Sequence, residues 1–170
     1  MKYSIAFTLV FGMTLAFTGC VSTMLQPNPV PLGEHDMVPV RSTVAVGLVN
    51  GNSPGFTMIP KGTGQKETDL SKWSYQAVTL IGSWLVKYRV PVDPNAEKRI
   101  KVSIVDPRIS LEKHLPCTRL TLKIEGGGLE KTYPVEGCAA GLNSSVGYAI
   151  SYAVIDMMRD RDVIDFIEGR

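Results

Sequence analysis

The chain has 170 residues, of which 44% are hydrophobic and 20% charged, with a formal net charge of +2. That balance is ordinary for a globular protein and excludes wholesale disorder. Acids and bases are interspersed with no basic block, so nothing points to nucleic acid.

The chain opens with Lys2 and then an apolar run over residues 5–17. At about thirteen residues the run suits the core of a signal peptide, and it is shorter than the about twenty that a membrane-spanning helix needs. It ends in Phe17-Thr18-Gly19-Cys20. Small residues directly before a cysteine, at the end of such a run, look like the lipobox of a bacterial lipoprotein precursor. Phe17 departs from the family pattern, where Leu is usual, and Leu15 lies two positions earlier. The bland alternative is a leader cut by ordinary signal peptidase, with Cys20 incidental. The resemblance implies removal of residues 1–19, a diacylglyceryl group on the Cys20 thiol and acylation of the freed amine. More than one acyl chain makes a stable anchor. In the enterobacterial members of that family, Asp after the cysteine marks retention at the inner membrane. Val21 stands there instead, which implies the periplasmic face of the outer membrane.

Residues 21–40 hold Pro27, Pro29, Pro31 and Pro39 and show neither helical nor strand period. Proline at this density favours extended chain, so residues 20–40 are expected to be a tether, with a strap that orders on a partner as the alternative. His35 lies between Glu34 and Asp36. A single histidine beside acids in such a segment is more often solvated than a metal ligand. The remaining residues, 41–170, are a normal size for one domain.

Alternation predicts a first strand over 42–49, closed by Asn50-Gly51-Asn52, and a short one over 55–60. Residues 61–66 read as a loop. Their Gly-Thr-Gly lacks the spacing of a phosphate loop. The strongest helix covers 70–88, with Leu70, Trp73, Ala77, Leu80, Ile81, Trp84, Leu85 and Tyr88 in one stripe, Thr68 or Asp69 as cap and Pro91 beyond its end. The stripe reads as core, with a hydrophobic ligand groove lined by its two tryptophans as the alternative. A strand over 99–105 follows, ended or interrupted by Pro107.

Two strands, 117–125 and 129–138, flank Gly126-Gly127-Gly128. If Gly127 and Gly128 form a two-residue hairpin turn, Leu120 faces Val135, Leu122 faces Tyr133 and Ile124 faces Lys131. Arg119 then faces Glu136, Glu125 faces Glu130, and Cys117 faces Cys138. One face becomes apolar and the other polar, as a half-buried hairpin requires. The register predicts a Cys117–Cys138 disulfide, consistent with an exported chain in which Cys20 is otherwise engaged. It also argues against a nucleophile pair of His114 and Cys117.

A second helix is expected after Asn143, Ser144 or Ser145 as cap, with Val146, Ala149, Ile150, Ala153, Val154 and Met157 as its stripe. Val163, Ile164, Phe166 and Ile167 follow as another helical turn or a docked tail. Packing on the parent domain is the commoner outcome, and a partner-binding surface is the alternative.

No nucleophile elbow, zinc-type spacing or dinucleotide fingerprint occurs, and no cofactor, metal or enzymatic role is expected. Asp106, Glu112 and Glu125 are the acids considered for an acid/base pair. The element order predicts an α+β fold, a mostly antiparallel sheet with two helices on one face. That order resembles small βαββα envelope lipoproteins of the lipopolysaccharide-assembly and transporter-auxiliary kinds. The resemblance implies a non-catalytic binding or assembly factor, attached to the membrane through Cys20 and meeting an envelope protein, a lipid or a glycan. A structural subunit of a secretion or pore assembly is the alternative, and a hydrolase of unrecognised type is the third reading.

Overall fold

The structure, a computed structural model, describes residues 24–112 and 114–170. Their elements are β1 (Val46–Asn50), β2 (Thr57–Lys61), β3 (Gly64–Thr68), α1 (Leu70–Lys87), β4 (Lys98–Glu112), β5 (Leu115–Gly126), β6 (Leu129–Cys138), α2 (Leu142–Arg159) and α3 (Arg161–Glu168). The expected α+β class holds. The strands form a six-stranded sheet in the order β3-β2-β4-β5-β6, with β1 also on β4. Side by side, α1 packs over β1 and β4, and α2 over β5 and β6.

The long strand β4 organises the sheet. Its first half pairs in parallel with β1, from Val46 opposite Lys98 to Asn50 opposite Val102. A parallel pair needs a crossover, and α1 supplies it. The expected start of β1 at Ser42 is four residues early, because β4 offers no partner before Lys98. Pro107 does not end β4. A register shift between Val105 and Arg108 takes up the proline and Asp106, whose φ is 51°. The bulge absorbs the missing amide, and the strand continues to Glu112. Residues 61–66, expected as a loop, instead turn at Gly62 (φ 54°) into β3, so that β2 and β3 form a hairpin.

The β5–β6 hairpin has the register expected from its glycines. Leu120 faces Val135, Leu122 faces Tyr133, and Arg119 faces Glu136. Gly127 and Gly128 sit at φ 52° and 89°, values costly for residues with a Cβ. Glu125 does face Glu130. Lys123 Nζ lies 2.9 Å from a carboxylate oxygen of each, which offsets their repulsion.

The α1 stripe is core: Trp73, Ala77, Ile81, Trp84 and Leu85 are fully buried, so the tryptophans line no open groove. The Asp69 carboxylate caps the helix by accepting from the Ser71 amide at 2.9 Å. On α2 the expected cap is not observed. Gly141 holds the N-cap without a side-chain bond, and Ser145 lies inside the helix. Its hydroxyl is committed elsewhere, 2.7 Å from that of Thr118 on β5 and 2.8 Å from the Leu142 carbonyl.

At the C-terminal end the commoner of the two readings, packing on the parent domain, is the one observed, whereas at the N-terminal end the tether needs correction. Val163 and Ile167 are 0% exposed, and Ile164 and Phe166 are partly buried against the same core. They fasten α3 to the domain and form no free partner surface. The proline-rich stretch is also no free tether from Leu25 onward. Leu25 is 2% exposed and Val40 is fully buried. Between them the chain runs along α1 and α2 as a strap. The Asn28 amide donates to the Asn143 carbonyl at 3.0 Å. The Ser151 hydroxyl donates to the Val30 carbonyl at 2.9 Å, and Trp84 Nε1 to the Val38 carbonyl at 2.7 Å. Extended chain has no internal hydrogen bonds, so its carbonyls are free to take these donors.

Candidate functional site

Cys20, the expected lipid attachment point, and the leader lie outside the described residues. The described chain approaches that point at Leu25, whose amide donates to the Glu67 carbonyl at 3.1 Å and which bridges Thr68 as an added edge strand. Thr68 Oγ1 returns a bond to the Leu25 carbonyl at 2.9 Å.

Cys117 and Cys138 face one another and are bonded, with S–S 2.04 Å and Cα–Cα 4.1 Å. The bond ties the base of the β5–β6 hairpin. His114 therefore has no free thiol at Cys117 to activate. His35 is 87% exposed, with Nε2 3.5 Å from Asp36. Among the described residues no three His, Cys, Asp or Glu side chains group as a metal site would require. The carboxylates considered for an acid/base pair are not brought together. Glu125 stands opposite Lys101, Asp106 lies in the bulge, and Glu112 stands opposite Leu115 at the far end of β4.

Two of the hollows among the described residues are binding candidates. One, of about 320 Å³, lies between the strap and α1 and is lined by Pro27, Pro29, Tyr75, Gln76 and Leu80. Prolines and the helix face make it mainly apolar. The Gln76 amide nitrogen and oxygen are both buried there without a partner. Buried amide atoms normally find partners, so this unsatisfied pair is an exception beside a mainly apolar hollow. The second, of about 650 Å³, lies on the sheet face away from the helices, beside Lys61, Arg108, Ser110, Arg119 and Glu136. Arg108 stands directly opposite Arg119. Like charges so placed repel. The Glu136 carboxylate, 3.2 Å from Arg119, takes up one of them.

A third polar cluster joins β6 to α3. The Tyr133 hydroxyl donates to Asp160 at 2.9 Å, and Lys131 pairs with Asp162 and lies 3.6 Å from Asp160. Burial, then the Asp160 bond, pushes the Tyr133 hydroxyl well above the usual range for tyrosine. The Asp162 bond raises Lys131. Asp160 also caps α3 by accepting from the Asp162 amide at 2.9 Å. The cluster is a joint between elements, in which one lysine and one hydroxyl serve two carboxylates.

No protein-family model matches the chain. No curated protein matches it. Among solved structures it is similar to protein XCC0632 from Xanthomonas campestris, described under the family model DUF330. The two share 10% identity and a TM-score of 0.47, over 80% of this chain and 92% of that one. At that identity and score the likeness fixes neither family nor function.

Sequence reasoning missed the strap-to-α1 groove and its Gln76. The signal available was Gln76 itself, an amide beside the apolar stripe of α1, but its other wall comes from residues almost fifty positions away.

Proposed function

We propose that the chain is a bacterial envelope lipoprotein, held by acyl groups on Cys20 at the periplasmic face of the outer membrane. There it acts as a non-catalytic binding or assembly factor for an envelope protein, a lipid or a glycan. The observation that carries the reading is the lipobox-like Phe17-Thr18-Gly19-Cys20, placed just ahead of a domain into which Leu25 is already buried. The Cys117–Cys138 bond supports it, since disulfides persist in exported proteins. The mainly apolar groove beside Gln76 supports binding in preference to catalysis. The alternative, a structural subunit of a secretion or pore assembly, drew on a tether and tail free to order between subunits. Both pack on their own domain, so it ranks second.

The test is palmitate labelling and membrane fractionation of the wild-type chain and Cys20→Ser in a bacterial host. Labelled, membrane-bound wild type and an unlabelled, released variant support the reading. Unlabelled wild type overturns it. A photocrosslinker at Tyr75, in the mouth of the groove, then captures what binds; absence of any crosslinked envelope component would count against a binding role there.

A further inference from the structure

We infer that the tip of the β4–β5 hairpin, carrying Leu111 and Leu115, seats on the phospholipid surface to which the chain is anchored. The inference rests on the Cys20 anchor proposed above.

Strand register carries the geometry. Leu25 runs parallel to β3 at Thr68, and Thr68 faces Thr57 of β2. Four residues along β2, Lys61 lies beside Ile109 of β4. Leu111 is two residues further on. At about 3.3 Å per residue, Leu111 therefore lies roughly 20 Å from the level of Leu25, in the direction from which the chain arrives. Cys20 precedes Leu25 by five residues. Even fully extended chain of that length reaches only about 18 Å. The anchor point is thus no farther from Leu25 than the hairpin tip is. With its acyl chains in the membrane, the leash is too short to hold an upright domain with its tip clear of the headgroups.

The surface at that end suits the contact. Leu111 is 70% exposed and Leu115 44%. Lys61 and Arg108 lie beside Leu111 and make no ion pair among the described residues. Cations beside an exposed leucine match a layer of phosphates over acyl chains. Glu112 at the tip opposes the attraction in part and favours a shallow seat over insertion.

The experiment uses the mature, lipid-bearing protein in vesicles of phosphatidylethanolamine and phosphatidylglycerol, with and without brominated acyl chains. Leu111→Trp and Leu115→Trp report on the tip. Val86→Trp, near the C-terminal end of α1 and 64% exposed in the wild type, reports on the opposite end. Trp73 and Trp84 are fully buried and supply a common background. Flotation with the vesicles reads the anchor separately. Expected are flotation of all variants and quenching of the added tip fluorescence at least twofold greater than at Val86→Trp. Flotation with equal or absent quenching at the tip overturns the inference and leaves the anchor standing. Failure to float overturns the anchor and the inference with it.

Discussion

Gly147 of α2 lies directly beneath the carbonyl oxygen of Asn28, so closely that a methyl group on Gly147 would collide with it. The strap passes over the helix at the one residue type that lets backbone meet backbone. In an exposed helix, Gly→Ala would gain about 1 kcal/mol of propensity. Here the clash is with main chain, which cannot rotate aside as a side chain can. Gly147→Ala is therefore expected to lift the strap near Asn28 while the sheet and helices stay folded. Limited proteolysis should show new cleavage between residues 26 and 40 with the remaining domain resistant. Unchanged cleavage would show that the strap accommodates the methyl.

The Tyr133–Asp160 bond makes a prediction at high pH. The folded-state pKa of Tyr133 is raised above its ordinary value near 10. Folding thus favours the protonated hydroxyl. The stabilisation is fully present below pH 10 and is lost as pH rises beyond it. Lys131 and Lys123, also raised by their carboxylate partners, add to the loss slightly higher in pH. Tyr133→Phe should cost about 1 kcal/mol near neutrality, as for one buried hydrogen bond, and should flatten the decline above pH 10. Urea midpoints between pH 7 and 11 for both proteins check it; parallel curves would refute it.

Reduction should weaken the hairpin base. Cys117 and Cys138 close a loop of sequence separation 21. Loop-closure entropy puts the contribution at about 3 kcal/mol. Cys138→Ser should lower the urea midpoint accordingly and make it insensitive to reductant, whereas the wild type falls to a similar value on reduction. A wild-type midpoint unmoved by reductant would contradict the prediction.

Ile167 separates a docked α3 from a surface one. Substitution at exposed positions usually changes stability by less than about 0.5 kcal/mol. Truncation of a fully buried isoleucine costs about 2–5 kcal/mol. Ile167→Ala is expected to fall in the second range, measured by chemical denaturation, and a near-neutral result would return α3 to the surface.

The parts of this fold legible in the sequence are those set by local rules. Two glycines with positive φ and alternating residues on either side fix every pair of the β5–β6 hairpin, the disulfide included. The α1 stripe repeats at helical spacing and carries its own cap in Asp69. The strap was hidden because its bonds run to Trp84 and Ser151, 46 and 121 residues away, and leave no periodic trace. β3 was hidden for another reason. Its residues Gly64–Thr68 include no apolar side chain, and only Thr68 is buried, so no alternation marks it. Of the candidate site residues, the Cys117–Cys138 pair follows from register. The position of Gln76 against the prolines does not, since it depends on where the strap settles.

The strap also sets an order of events. Its seats at Asn143, Gly147 and Ser151 belong to the last thirty residues of the chain, while the strap itself belongs to the first forty. During synthesis the N-terminal part appears first, and its contacts at Asn28 and Val30 must wait until α2 has formed. The closing of the strap over α2 therefore joins the first part of the chain made to the last.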